Sequence, residues 1–145
     1  MNILVAHDGS AQADEAFRKA AEIAASTKSP VIVLSVVPDL CMMEISDDDC
    51  KKMYEIMTNE SAKRLEDLKK EISAQFSYFD MQTEVIFGNA AEIILQVAKD
   101  KAVDLVVIGS HGRHGAKKFL LGSVSSKVVD HAHCDVLVVK SGNKA

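Results

Sequence analysis

The sequence lacks the cysteine patterns of a disulfide framework or a zinc site. Its three cysteines are Cys41, Cys50 and Cys134, an odd number with no Cys-x-x-Cys spacing. This usage favours reduced thiols in a reducing compartment. The first residues contain no basic stretch, and a charged residue arrives at Asp8, too early for a signal peptide. We therefore expect a cytoplasmic protein.

Long hydrophobic runs and an excess of positive charge are also missing. No apolar segment approaches the roughly 18 residues of a membrane-spanning helix, so no membrane partner is expected. The net charge is −4 over 145 residues, which argues against a surface that coats nucleic acid. The length and the 48% hydrophobic content suit one globular domain with its own core. No linker or repeat divides the chain.

Strand and helix patterns alternate along the whole chain. Apolar runs predict five strands, at residues 3–6, 31–37, 83–87, 105–108 and 136–139. Helical periodicity follows each of the first four, with Ser10, Ser46 and Asn89 as predicted N-caps and Ser123 opening the last helix. This order predicts an α/β fold with a five-stranded parallel sheet and helices on both faces.

Parallel sheets of this kind bind ligands beyond the carboxyl ends of their strands, where the strand order reverses. The rule selects three places in this sequence, which follow Ala6, Val36 and Ile108. Two well-known nucleotide loops are absent. GxxxxGK[ST] does not occur, which excludes a P-loop, and no GxGxxG follows the first predicted strand.

A glycine-rich segment joins the fourth predicted strand to the last helix. It begins with Gly109-Ser-His-Gly112 and, nine residues later, ends in Gly122-Ser123. Glycines let backbone N–H groups approach a ligand closely, and a helix start adds free N–H groups and a positive dipole end. Together they predict a phosphate cradle, with hydroxyls from Ser123 and Ser125 and positive charge from Arg113, Lys117 and Lys118. A flexible surface loop explains the glycines equally well from the residues alone.

Three segments resemble the universal stress protein family: ILVAHDGS at 3–10, VIGSHGR at 107–113 and LGSVSSKVV at 121–129. The spacing Gly-x2-Gly-x9-Gly-Ser resembles the signature of its ATP-binding branch. The likeness covers residues 1–145 as a single universal stress protein domain, most weakly over 38–78. It implies an adenine-nucleotide alpha-hydrolase-like (Rossmann-like) three-layer sandwich that acts as an ATP-dependent regulatory module in stress response.

The resemblance also assigns roles to the matching residues. Asp8, with the backbone of Ala6 and His7, would meet the ribose or adenine side, and the main chain of Val36 would meet the adenine edge. The remaining positions would lie along the ribose and phosphates, and they are Gly109, His111, Gly112, Arg113, Gly122, Ser123, Val124 and Ser125. ATP is the implied ligand, with AMP or ADP as other bound forms and Mg²⁺ held mainly by the phosphates.

The sequence departs from the family pattern at three positions. His7 replaces a smaller or apolar residue, Ala90 replaces a common proline after Gly88, and Asp135 replaces a common proline before the last strand. His7 is either a nucleotide contact or pH sensor, or a packed side chain with one hydrogen bond. Asp8 is either a ligand carboxylate or a turn-former before Gly9.

Other candidate clusters have simpler interpretations. His111 and His114 lie three apart in a segment that is not evidently helical, so no protein-ligated metal is expected. His131, His133 and Cys134 fall at a helix-to-strand junction, where capping and core packing are expected. Met42, Met43 and Met53 are expected in the core or a mobile loop, with a partner surface as the alternative.

No general base is evident beside the implied γ-phosphate position, so we expect no enzyme, or at most slow ATP hydrolysis. Two alternatives stay open: a slow ATPase or phosphotransferase, and a stress-linked interaction protein that no longer binds nucleotide. The apolar last strand, Val136 to Val139, predicts a homodimer through an exposed sheet edge. The physiological protein partner is not predicted.

Overall fold

The computed structural model describes residues 1–39, 46–78, 80–111 and 121–140. Strands and helices alternate along these residues. In chain order they are β1 (Ile3–His7), α1 (Ala11–Thr27), β2 (Val31–Val37), α2 (Asp47–Ser73), β3 (Met81–Phe87), α3 (Ala90–Asp100), β4 (Leu105–Gly109), α4 (Ser123–His131) and β5 (Asp135–Val139).

The five strands form one parallel sheet in the order β3-β2-β1-β4-β5. β1 lies at the centre because Ile3 pairs with Val31 of β2 on one side and with Leu105 of β4 on the other. The chain therefore moves outward from β1 in one direction and then in the other. The reversal between β1 and β4 opens a crevice at the carboxyl ends of these strands.

Two hydrophobic clusters cover the two faces of the sheet. α1 and α2 pack on one face, where Phe17 and Leu65 are each 1% exposed. α3 and α4 pack on the other face, through residues such as Ile94 and Val128. The strands are apolar on both sides, as a doubly covered parallel sheet requires. The predicted three-layer α/β fold is confirmed.

The predicted N-caps form as expected. The Ser10 hydroxyl accepts from the N–H of Ala13 at 3.1 Å, and the Asn89 side chain accepts from the N–H of Glu92 at 3.1 Å. Ser46 caps α2 in the same way. Each cap satisfies one of the four N–H groups that a helix start leaves unpaired. α4 differs because its N-cap, Gly122, has no side chain to do this.

Most strand bounds match the predictions to within one residue, and β3 is the exception. It starts at Met81 rather than at residue 83, because Met81 and Gln82 pair with Val31 and Ile32 of β2. Neither residue is β-branched or aromatic, so propensity alone did not extend the strand.

The prediction of three reduced cysteines is wrong at one position. Cys50, in the first turn of α2, is disulfide-bonded, whereas Cys134 is free and half-buried. Sequence spacing signals only short motifs such as Cys-x-x-Cys, and a bridge between cysteines farther apart leaves no comparable pattern. Cys41 lies outside the described residues.

Several other predictions fall on parts of the chain that the structure does not describe. They concern Gly112, Arg113, His114, Lys117, Lys118, Met42 and Met43. Within the described ranges, no helix is long and apolar enough to cross a membrane.

Candidate nucleotide site

A pocket of about 430 Å³ lies at the carboxyl ends of β1, β2 and β4, and we call it the strand-end pocket. Its wall includes ten predicted site residues, which come from four separate parts of the sequence: Ala6, His7, Asp8, Val36, Gly109, His111, Gly122, Ser123, Val124 and Ser125. The other two predicted positions, Gly112 and Arg113, lie outside the described residues. The fold thus brings together every predicted site residue that it describes.

The turn after β1 forms one wall of the strand-end pocket. Asp8 is exposed, and its Oδ1 accepts from the N–H of Ser10 at 2.9 Å. Gly9, between them, has a φ of 87°, which glycine adopts without a steric penalty. Asp8 is therefore a turn-former and a pocket-lining carboxylate at once, so the two sequence interpretations are compatible.

His7 is 3% exposed and makes two hydrogen bonds. Its Nδ1 accepts from the N–H of Gly9 at 3.1 Å, and its Nε2 lies 2.7 Å from Oδ1 of Asp14 in α1. Oδ2 of Asp14 accepts in turn from Arg64 of α2 at 3.0 Å. Burial lowers the pKa of His7 below 6.5, although the hydrogen bond to Asp14 opposes this shift. His7 therefore packs as a buried, hydrogen-bonded side chain beside the pocket.

The end of β2 presents a main-chain acceptor to the strand-end pocket. The carbonyl of Val37 accepts from Gly88 on the β3 side of the strand. Because neighbouring residues of a strand point their main-chain groups to opposite sides, Val36 points its carbonyl to the β1 side. β1 has already ended there, since its last pair is His7 with Ser35. The carbonyl therefore faces the crevice rather than a further residue of β1.

The packing of α1 against β4 explains why Gly109, the last residue of β4, has no side chain. A Cβ at this position would lie 3.2 Å from Cβ of Gln12, in the first turn of α1. The absence of a side chain thus lets α1 sit close to β4 beside the pocket. Sequence reasoning assigned this glycine to the ligand alone and missed its contact with α1.

His111 follows β4 and carries an unsatisfied atom. Its Nδ1 lies 3.1 Å from the hydroxyl of Ser110, whereas its Nε2 is buried without a hydrogen-bond partner among the described residues. A buried polar atom without a partner costs about 1–3 kcal/mol. Because His111 lines the strand-end pocket, a hydrogen-bonding group of a ligand placed there would remove this cost.

The start of α4 supplies the donors of the strand-end pocket. Gly122 has a φ of −63°, and its N–H donates to the carbonyl of Ser110 at 2.8 Å. The hydroxyl of Ser125, predicted as a phosphate donor, donates to the same carbonyl at 3.0 Å, so its proton is already used within the protein. Helix geometry leaves the N–H groups of Ser123, Val124 and Ser125 without intrahelical acceptors. These three N–H groups and the exposed Ser123 hydroxyl are the hydrogen-bond donors that this end of the pocket offers to a ligand.

Nine further residues line the strand-end pocket and were not predicted: Ser10, Ala13, Leu34, Pro38, Met57, Gly88, Ala90, Ile94 and Ile108. Four of them, Ser10, Leu34, Pro38 and Ile108, lie within four residues of Ala6, Val36 or Ile108, so a wider window around these strand ends would have found them. Gly88, Ala90 and Ile94 follow β3, which the sequence rule did not select, and Ala13 lies in α1. Met57 comes from α2 and carries no such signal, because only tertiary packing brings it to the pocket.

The fold and the strand-end crevice define the adenine-nucleotide alpha-hydrolase-like class of α/β proteins. Within that class, the family model described as the universal stress protein family matches residues 1–140. The chain therefore belongs to the universal stress protein family. It is 32% identical over 148 residues to a universal stress protein of Staphylococcus haemolyticus, covering 97% of this chain and 84% of that one.

Solved structures agree with this membership. Universal stress protein UspA from Lactobacillus plantarum is 30% identical, with a TM-score of 0.82 over 96% of this chain and 97% of that one. An Arabidopsis thaliana family protein with AMP bound superposes with a TM-score of 0.68 at 20% identity, covering 99% of this chain and 93% of that one. A universal stress protein in complex with cAMP gives 0.69 at 23% identity, covering 97% and 96%. At the last two identities the likeness concerns the fold alone.

Proposed function

We propose that this universal stress protein binds ATP in the strand-end pocket and works as a nucleotide-dependent regulatory module. The observation that carries the proposal is that the separately predicted residues meet at one pocket. Residues selected separately at the ends of β1, β2 and β4 and at the start of α4 line one pocket of about 430 Å³. That volume lies within the range of about 300–1,000 Å³ usual for small-molecule sites.

The β2 side of the pocket suits an adenine ring. Leu34, Val36 and Ile94 supply an apolar wall, and the carbonyl of Val36 faces the crevice. An adenine would stack against these side chains and donate its exocyclic amino group to that carbonyl. Asp8 lies on the β1 wall, where its carboxylate would accept from a ribose hydroxyl.

The α4 side of the pocket suits phosphates. The N–H groups of Ser123, Val124 and Ser125 stand at the positive end of the helix dipole, and anions bind favourably at such helix starts. The unsatisfied Nε2 of His111 adds a polar group next to them. A Mg²⁺ ion would be carried mainly by the phosphates, since this ion keeps several waters and favours substrate phosphates.

The solved family structures with AMP and cAMP support the adenine-nucleotide class. ATP, rather than AMP or ADP, is the finer part of the proposal and rests on the motif spacing of the glycines. The remaining parts are a single domain over residues 1–145, a cytoplasmic location and a homodimer through β5. Regulation rather than catalysis is proposed because the sequence contains phosphate donors but no clear general base beside the implied γ-phosphate position.

The test is to purify the protein, denature it and identify any nucleotide that is released. Released ATP supports the proposal. Released ADP or AMP, together with turnover of added ATP, would instead support a slow ATPase. A protein that releases nothing and binds no added adenine nucleotide would contradict the proposal.

A further inference from the structure

His7 links the strand-end pocket to the opposite face of the sheet. Along β1, Ile3 and Val5 face the cluster under α1 and α2, whereas Leu4 and Ala6 face the cluster under α3 and α4. The same alternation directs the His7 side chain toward α1 and α2, where it meets Asp14. Its neighbours in the turn, Asp8 and Ser10, line the pocket.

The hydrogen bonds of His7 fix its tautomer. A backbone N–H is always a donor, so Nδ1, which accepts from Gly9 at 3.1 Å, carries no proton. Nε2 then carries the proton of the neutral ring and donates to Asp14 at 2.7 Å. Asp14 also accepts from Arg64, which completes a chain from the turn through the ring and the carboxylate to α2.

A second proton on His7 would change this series of hydrogen bonds at one end only. Imidazolium has two N–H donors and no acceptor, so the bond from Gly9 N–H would be lost and two donors would face each other. The contact with Asp14 would persist. The turn of Asp8, Gly9 and Ser10 would then have to move, and this turn is part of the pocket wall.

We propose that His7 is a positioning residue of the strand-end pocket, whose neutral ring holds the turn after β1 in the nucleotide-binding geometry and whose protonation releases it. The proposal rests on nucleotide binding at this pocket as proposed above. Nucleotide and proton then oppose each other, so each lowers the affinity of the protein for the other.

The charged groups around His7 lie on α1, on α2 and in the turn after β1. Asp14 of α1 and Asp8 of the turn favour protonation, whereas Arg64 of α2 and burial disfavour it. Ser35 of β2 is its uncharged partner in the sheet. Burial dominates and places the pKa of His7 below 6.5, so the ring is neutral at pH 7 and the turn is held.

The test begins with an NMR titration that gives the His7 midpoint and its tautomer. Titration calorimetry with Mg-ATP then follows at about one pH unit above and below that midpoint. Three proteins are compared: wild type, His7→Asn and His133→Asn. The asparagine oxygen can still accept from Gly9 but does not titrate, and His133 is an exposed histidine outside the pocket. Titration of the ATP phosphates affects all three alike.

Between these two pH values the wild-type Kd should rise about tenfold more than that of His7→Asn, as expected for one coupled proton. His133→Asn should follow the wild type. Equal pH dependence in wild type and His7→Asn would overturn the coupling while leaving ATP binding intact. Absence of wild-type binding above the midpoint would instead overturn the proposed function.

A second measurement covers the case in which His7→Asn does not fold. In the wild type, saturating Mg-ATP should move the His7 midpoint to lower pH by more than about one unit, because binding and protonation are reciprocal and the protonated form binds ATP much more weakly. An unchanged midpoint, or a His7 that does not titrate in the folded protein, would overturn the proposal.

Discussion

Gly122 has an ordinary backbone conformation. Its lack of a side chain therefore matters for a ligand that approaches the start of α4. Its φ of −63° suits any residue, and an added Cβ would lie 3.5 Å or more from its nearest neighbours. Gly122 is therefore not required for a positive φ at this position. The chain itself has no strong need for a glycine at this position.

We expect Gly122→Val to weaken nucleotide binding far more than folding. The added methyl groups would hinder the approach of phosphates to the start of α4, so ATP affinity should fall at least about tenfold. The unfolding free energy should fall by only about 1 kcal/mol, the usual scale for an N-cap change. Titration calorimetry and urea denaturation measure the two effects.

Lys127→Val is the matched control for this variant. It introduces the same side chain on the exposed face of α4, away from the strand-end pocket. It should cost less than about 1 kcal/mol of stability, as a β-branched residue does in a helix, and leave ATP affinity unchanged. Equal affinities for Gly122→Val and Lys127→Val would mean that the phosphates do not lie at α4.

His7 also predicts how stability depends on pH. Burial makes its pKa lower in the folded protein than the unfolded value of 6.5, so the unfolded chain binds this proton more tightly. The contribution of neutral His7 to stability is therefore fully present above about pH 6.5, and it is lost as the pH falls toward the folded pKa. The slope due to His7 is at most about 1.4 kcal/mol per pH unit. The unfolding free energy, measured by denaturation at several pH values in this range, should decrease more steeply with falling pH for wild type than for His7→Asn. Identical slopes of unfolding free energy against pH would contradict the assignment.

At the residue scale, the sequence predicted positions better than roles. The strand-end rule and the glycine spacing located Ala6, Val36 and Gly122, because main-chain positions follow from strand order. Hydrogen-bond partners depend on packing that one sequence does not contain. Neither the link from His7 through Asp14 to α2 nor the contact of Gly109 with α1 could be read from spacing.

The end of β2 is the element that would distinguish adenine from guanine. The Val36 carbonyl is an acceptor, which matches the amino group of adenine but would face the carbonyl oxygen of guanine at the same ring position. An unpaired buried acceptor costs about 1–3 kcal/mol. Competition binding should therefore show ATP preferred over GTP by about tenfold or more, and equal affinities would place the base elsewhere.

At the element scale, the fold was largely predictable. Apolar runs and helix caps are local signals, and residues such as Ser10 and Asn89 do cap α1 and α3. The failures occurred where tertiary contact decides the outcome. β3 gained Met81 through pairing with β2, and the disulfide at Cys50 had no spacing signal.

For the whole molecule, the open edge of the sheet at β5 bears on the proposed dimer. The carbonyl of Val139 accepts from Ser110, beside β4, so Val138 points its main-chain groups to the open edge. Its side chain packs against the cluster under α3 and α4. A charged substitution at Val138 would therefore disturb the core as well as an interface, and a backbone change is the cleaner probe.

Val138→Pro removes an outward N–H without removing a hydrogen bond to β4, as proline on an edge strand allows. If β5 pairs with its two-fold copy, this variant should shift the protein toward monomer in light scattering while keeping its circular dichroism. Leu137→Pro is the control, because it removes an N–H that points to β4 and should destabilise the fold. A wild-type monomer at tens of micromolar would rule out the dimer.

The central claim is that ATP occupies the strand-end pocket, and titration calorimetry of nucleotide-free protein with Mg-ATP tests it most directly. We predict saturable binding of one ATP per chain. At a ligand concentration 100 times the Kd, that binding should add about 2.7 kcal/mol to the unfolding free energy. Absence of binding heat and of stabilisation at millimolar Mg-ATP, in protein shown beforehand to hold no nucleotide, would contradict the claim.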